Sequence, residues 1–397
     1  MEFHISDKMQ GMKPSIIREI LKQMSDPTLI SFAGGNPAAD SFPADEIARF
    51  SDELLRENPV ATLQYSVSEG VPSVRETIRA FANRYEPVAK ENDTVLIVSG
   101  SQQILDFTAK CLCNEGDVVA VEDPAFLGAY NAFRSSGARL AGVPMETDGV
   151  DLAALEAIFA AKDKDKPRFF YCIPNFQNPT GRTMSLAKRK AVYELSVRYG
   201  VPVLEDDPYG ELRISGERLP SIKSLDTTGA VIYAGSFSKI LCPGMRLAYC
   251  VCDGALARHF VVAKQCSDVH TNVWAQRVCE AMLTRTDMEA HIRAIRKIYA
   301  AKARLMMAQM DEKCPDIRYI VPEGGMFLWA TLPGGVDMPG FVQKCLDRKL
   351  ALVPGNAFMV DEAAPCQSFR MNFSTPTPEQ IEQGVSIMAE VLASCRA

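Results

Sequence analysis

Six short apolar, β-rich runs recur along the first two thirds of the chain, at 94–98, 118–121, 168–173, 201–204, 231–234 and 247–252, with helix-patterned stretches between them. Strand and helix alternating in this way specify a mostly parallel sheet covered by helices on both faces, because parallel strands need long crossovers that return over the sheet. The runs end in loops rich in chemistry: Ser99-Gly100-Ser101-Gln102 after the first, Asp123-Pro124-Ala125-Phe126 after the second, Pro174 to Gly181 after the third and Glu205-Asp206-Asp207-Pro208-Tyr209 after the fourth. In open α/β sheets ligands bind beyond the carboxyl ends of the strands, so these loops are expected to converge on one crevice.

From about Asp287 the texture changes. A long charged helical pattern covers 291–309, then apolar runs follow at 327–332 and 350–353, which reads as a smaller α+β domain. The expected division is an N-terminal helix and substrate-side segment over 1–35, a large domain over 36–286 and the small domain over 287–397. Within the first segment Ser15 precedes Ile16-Ile17-Arg18-Glu19-Ile20-Leu21, the pattern of a capped amphipathic helix leading into a Gly-Gly-Asn-Pro turn. With 47% hydrophobic residues in 397, the chain can bury one large core and a second smaller one.

Charge and cysteine usage exclude several functions. A formal charge of −6 leaves no broad basic footprint and argues against nucleic acid as the partner. The 12 cysteines form no Cys-x-x-Cys knots and the four histidines are scattered, so no metal site is expected. Cys111/Cys113 and Cys250/Cys252 alternate within apolar stretches and read as small buried side chains in a reducing, cytoplasmic setting. The N-terminus lacks the apolar core of a signal peptide, and no run reaches membrane-spanning length.

The stretch Ser236-Phe237-Ser238-Lys239-Ile240-Leu241-Cys242-Pro243-Gly244-Met245-Arg246 places one lysine just past a buried strand, among hydroxyls and seven residues before an arginine. An amine that is to form a Schiff base needs a lowered pKa and a partner carbonyl held nearby, and hydroxyls with a guanidinium can hold a phosphorylated partner. Gly100-Ser101-Gln102, between strand and helix, offers free backbone N–H groups to the same phosphate, although it would equally serve as an ordinary capped turn. Ser-x-Ser-Lys followed by Pro-Gly-x-Arg resembles the cofactor-lysine signature of fold-type I pyridoxal phosphate enzymes, and the pyridine ring this implies, used as an electron sink, needs a carboxylate beside its nitrogen. Asp206 is the choice, with Glu205 and Asp207 adjacent and a solvated acidic loop as the alternative. Tyr209 and Asn178 can donate to the ring's phenolic oxygen, and Phe126 can stack on the ring or serve as core.

The ordered set Gly-Ser-Gln-Gln, Pro-Ala-Phe, Asn-Pro-Thr-Gly, Asp-Asp-Pro-Tyr, Ser-Phe-Ser-Lys, Gly-Met-Arg and Phe369-Arg370-Met371-Asn372-Phe373 resembles fold-type I pyridoxal phosphate (PLP) enzymes, the aspartate aminotransferase superfamily, across nearly the whole chain. Leu-Ile-Ser-Phe-Ala-Gly-Gly-Asn-Pro at 29–37, Leu63-Gln64-Tyr65-Ser66 and the paired Gln102-Gln103 resemble the branch holding 2-aminoadipate and kynurenine/aminoadipate aminotransferases. The resemblance implies a mostly parallel seven-stranded sheet in the large domain. It implies Lys239 as the Schiff-base lysine, Asp206 on the pyridine nitrogen, Asn178 and Tyr209 on the phenolic oxygen, and Ser101, Gln102, Ser236, Ser238 and Arg246 at the phosphate. Arg370 is implied as the fork for the substrate α-carboxylate, with Gly35, Asn178 and Arg18 also on the substrate side. A homodimer with shared sites is implied too, in which Tyr65 reaches the phosphate of the neighbouring subunit. One position departs from the branch: the ring-stacking residue, usually tyrosine, is Phe126.

The implied activity is transfer of an amino group from an L-amino acid to a 2-oxo acid, 2-oxoglutarate being expected, by ping-pong half-reactions. A PLP-dependent lyase or decarboxylase on the same fold is one alternative. A PLP-binding regulatory sensor is the other, but such regulators carry an additional N-terminal basic module, and this chain starts within a few residues of the family's own first helix.

Overall fold

The computed structural model describes residues 3–10, 12, 26 and 28–395. The expected helix at 16–21, and Arg18 with it, lies outside the described residues. The described residues form fourteen strands, in chain order β1 Ile30–Ser31, β2 Asp93–Val98, β3 Val118–Asp123, β4 Arg139–Glu146, β5 Gly149–Val150, β6 Pro167–Cys172, β7 Val203–Asp207, β8 Val231–Ser236, β9 Ala248–Asp253, β10 Arg318–Tyr319, β11 Phe327–Thr331, β12 Leu350–Ala351, β13 Val353–Pro354 and β14 Ser368–Asn372.

The large sheet runs β2-β9-β8-β7-β6-β3-β4-β5. It has eight strands rather than seven, because the two-residue β5 folds back on the end of β4 through Met145↔Val150 and Glu146↔Gly149. Strands β4, β3, β6, β7 and β8 are mutually parallel, and β9 runs against both β8 and β2. All six apolar runs fall in this sheet. Side chains alternate between two cores, as the period of two requires. Val119, Val121, Tyr171 and Leu204 face one, with the helices Ser101–Leu112 and Leu127–Ser135; Ala120, Phe170, Cys172 and Val203 face the other, with the helices Leu152–Phe159 and Leu186–Tyr199.

A second sheet, β10-β11-β14-β13, is antiparallel throughout, and the long helix beginning at Met288 packs beside the helix Pro378–Ser394. β1 pairs with β12, so the segment that follows, 32–36, is laid between the two sheets. None of the 12 cysteines is in a disulfide. Cys250 and Cys252 are buried on β9, but Cys111 and Cys113 are only half-buried, since they sit where the Ser101–Leu112 helix frays into its C-cap. Among the described residues no helix is long and apolar enough to cross a membrane, and no cluster of metal-ligating side chains occurs.

Candidate active site

The carboxyl ends of β2, β3, β6, β7 and β8 open on one edge of the large sheet, and a cavity of about 300 Å³ lies there between that edge and β11 and β14 of the small sheet. Of the residues singled out from sequence, Gly35, Ser101, Gln102, Phe126, Asn178, Asp206, Tyr209, Ser236, Ser238, Lys239, Arg246 and Arg370 all line it. Tyr65 does not. It is 81% exposed, against His270 at 5.6 Å, on a surface it shares with Leu63 and Val60.

At the floor, Lys239 Nζ donates to Gly35 O at 2.7 Å. Loss of solvent, then the Arg370 and Arg246 charges, pull its pKa down to about 8, so the neutral, nucleophilic amine is available near neutral pH. Arg246 follows a turn at Pro243–Met245 in the left-handed region, φ 50°, and its guanidinium packs on the start of the Ser101–Leu112 helix. There Gly100 has φ 85°, and a Cβ on it would lie 2.2 Å from Arg246 Nη2. Only glycine allows both the backbone angle and this approach. A cation is thereby held at a helix N-terminus, where both recruit an anion. Ser236 Oγ accepts from Ser238 N at 3.1 Å, which fixes the hydroxyl loop beside it.

On the opposite wall Arg370, 3% exposed, donates from Nη1 to Asn178 Oδ1 at 2.8 Å and from Nη2 to Ala33 O at 2.6 Å. Its guanidinium lies 4.3 Å from the Phe327 ring and 4.8 Å from Phe358, and its Nε has no partner. Because Arg370 occupies the Asn178 carbonyl, the Asn178 NH₂ is left as a donor. Burial pushes Tyr209 well up, so its hydroxyl keeps its proton; its ring meets Phe327 edge-on at 5.8 Å.

The three adjacent acids at the end of β7 separate cleanly. Glu205 turns away and accepts from Ile222 N at 2.9 Å and Lys223 N at 2.7 Å. Asp207 accepts from Asn175, Gly210 N and Tyr233 OH. Asp206 alone faces the cavity, with Tyr171 OH on Oδ2 at 2.9 Å and a buried Oδ1 without a partner. Burial raises its pKa to about 7, against the opposing Tyr171 bond.

Several residues at the site were not singled out from sequence. Tyr171 is one and Phe327 another. Gln177 is a third: its amide donates to Glu122 Oε2 at 3.2 Å and Pro124 O at 2.7 Å, while its carbonyl accepts from Thr180 N and Oγ1. Glu122 Oε2 also accepts from Ile173 N at 3.0 Å, and burial pushes its pKa up to about 8. This pair therefore ties the Phe126 loop, Ile173 and the Asn178 loop together. The Glu and Gln lie in runs that read as strand and turn, and only their spatial convergence distinguishes them.

Among the described residues, Lys239, Arg246 and Arg370 form no ion pair, and Asp206 is the cavity's one carboxylate. Such a cavity has room and charge for a dianion and a carboxylate, and the free Asp206 Oδ1 fits a protonated ring nitrogen. The family model for aminotransferase class I and II matches residues 27–387. The chain belongs to the class I and II aminotransferases. It is 38% identical to 2-aminoadipate transaminase of Thermus thermophilus, covering 96% of this chain and 94% of that one, and 36% identical to aromatic-amino-acid aminotransferase 1 of Thermococcus litoralis, covering 98% and 94%. Among solved structures, the alpha-aminoadipate aminotransferase of Thermus thermophilus, complexed with N-(5'-phosphopyridoxyl)-L-leucine, superposes with a TM-score of 0.89 at 35% identity, covering 99% of this chain and 98% of that one. The aminotransferase family is PLP-dependent, and pyridoxal 5'-phosphate is the cofactor of this chain.

Proposed function

We propose that this aminotransferase moves the amino group of an L-amino acid to 2-oxoglutarate by a ping-pong mechanism centred on Lys239. The observation that carries this reading is the meeting, in one cavity, of a lysine with a lowered pKa, a buried acid with a free oxygen and two arginines without carboxylate partners. PLP, when bound, supplies a carbonyl carbon that takes an amine and a ring that draws electrons from the bond being broken.

The chain's own residues then divide the work. Ser101, Gln102, Ser236, Ser238 and Arg246 hold the phosphate, and Phe126 covers the ring. Asp206 keeps the proton on the ring nitrogen; Asn178 and Tyr209 donate to the ring oxygen. Arg370 receives the substrate carboxylate beside Gly35, a planar fork for a planar anion. Lys239 would accept the proton from the substrate Cα and return it, as general base and acid. The naming of one relative for 2-aminoadipate supports an acceptor with a distal carboxylate. Arg18, proposed on the substrate side, would meet that carboxylate.

Exposed Tyr65, Leu63 and Val60 support a homodimer in which Tyr65 serves the second copy's phosphate site. Unpaired cysteines support a reducing compartment, the cytoplasm.

The test is to mix the purified holoenzyme with donor amino acid alone. Stoichiometric conversion of the cofactor's visible absorption to that of pyridoxamine phosphate is expected, with recovery on adding 2-oxoglutarate and parallel double-reciprocal plots. Release of ammonia or carbon dioxide over many turnovers without acceptor would replace this reading with a lyase or decarboxylase.

A further inference from the structure

Asp206 presents two oxygens with different surroundings. Oδ2 accepts from the Tyr171 hydroxyl at 2.9 Å, and Oδ1 is buried without a partner. Tyr171 is fully buried on β6, paired with Leu204 of β7. Asp206 lies two residues beyond Leu204, so strand alternation puts it on the same face as Tyr171. The Tyr171 ring is fixed in turn, edge-on to Phe133 at 5.5 Å, and Phe133 is held by Phe169 at 5.1 Å. The other titratable groups that feel Asp206 are Asp207, Glu122, Cys172 and Tyr209, and among the described residues no hydrogen bond joins any of them to it.

We propose that Tyr171 is a positioning residue for amino transfer: its hydroxyl pins Oδ2 of Asp206 from behind, so that Oδ1 alone meets the protonated ring nitrogen of the bound cofactor. This rests on the assignment of Asp206 given above. A carboxylate with both oxygens free would rotate and share its charge between them. A carboxylate with one oxygen pinned offers a single, directed acceptor, and the donated hydrogen bond favours its ionised form. Phenylalanine at 171 would remove that donor while leaving the ring packing in place.

Holoenzymes carrying Tyr171→Phe, Asp206→Asn and both together test this, read by cofactor content, by the pH midpoint of the cofactor's visible absorption, and by kcat and KM. A ring that has lost its proton no longer repels a proton on the neighbouring Lys239 nitrogen, so the midpoint should rise. Tyr171→Phe is expected to retain PLP, to raise the midpoint by about one pH unit, the scale of one hydrogen bond to a charged group, and to lower kcat about tenfold with KM within about twofold. In the Asp206→Asn background the phenylalanine should add nothing. If Asp206→Asn moves midpoint and kcat while Tyr171→Phe moves neither, the role of Tyr171 is overturned. An undiminished Tyr171→Phe effect in the Asp206→Asn background would overturn it as well, since Tyr171 would then act without Asp206. If Asp206→Asn moves neither quantity, the assignment of Asp206 itself falls.

Discussion

The cation cluster in the cleft and the lysines buried on helices beside the large sheet solve the same problem in opposite ways. Lys223 is 1% exposed and donates to Asp93 at 2.8 Å and Asp226 at 3.0 Å, which raises its pKa. Lys264, equally buried, bonds Gln103, Asp268 and Thr271. Lys239 has a carbonyl oxygen for company, two arginines nearby and no acid. Desolvating a charge is costly unless it is paired, so a paired lysine holds the fold together and an unpaired one waits for something from outside. The difference marks the reactive lysine more surely than burial does.

Changing these lysines should separate the two kinds of site. Lys239→Ala is expected to lose transamination by about 10²- to 10⁴-fold or more while melting at the temperature of the parent and still retaining PLP, and borohydride reduction of the parent should mark Lys239, not Lys223 or Lys264, in peptide maps. A thermal or urea melt should show the reverse for Lys223→Met: removing the cation strands two buried carboxylates and costs about 3 to 5 kcal/mol of stability. Equal effects of the two substitutions on stability would erase the distinction. Arg18→Ala, at a cation proposed to await the distal carboxylate, should weaken 2-oxoglutarate, glutamate and 2-aminoadipate by roughly 1.5 to 3 kcal/mol and leave leucine or phenylalanine nearly untouched; equal losses across both classes would show that Arg18 acts only structurally. The smallest effect concerns pH. Because the Lys239 pKa is lowered, its neutral form accumulates earlier as pH rises, and apo-protein should combine with phosphate-free pyridoxal at a rate that levels off above pH about 8. A rate still climbing towards about 10.4, the value for free lysine, would remove the contrast with Lys223, whose acids raise its pKa.

Sequence alone was informative where backbone chemistry is local. The six apolar runs and the loops after them are readable because burial on both faces demands continuous β-rich segments and because Gly, Pro and Asn mark their ends. Strand β4 was missed. Arg139–Glu146 contains Gly142 and Pro144, carries only one fully buried residue and lies near the sheet edge, where neither rule applies. At the site, Asp206, Ser236 and Arg370 lie on strands and were legible through the motifs around them, whereas Tyr171, Glu122 and Phe327, also on strands, carry no such motif. Tyr171 sits inside an apolar run and Glu122 directly after one, and their roles depend on which neighbour the sheet order brings beside them. The ambiguity among Glu205, Asp206 and Asp207 has the same origin: three adjacent carboxylates differ only in which side of β7 they face, a matter of register.

The segment 32–36 has a consequence for how the chain is made. Phe32 O accepts from Asn372 N, Ala33 O from Arg370, Gly35 O from Lys239 and Asn36 O from Ser374. Three of those four partners lie more than 330 residues downstream. A ribosome emitting this chain at roughly 5 to 20 residues per second delivers the segment early, yet its seat does not exist until residue 374 has been polymerised. The large sheet can close around Lys239 long before then, so a nascent protein passes through a stage with the amine in place and the lid of main-chain carbonyls still adrift. Ribosomes stalled before β14 should carry chains with an ordered large sheet that protease cuts readily at 29–36.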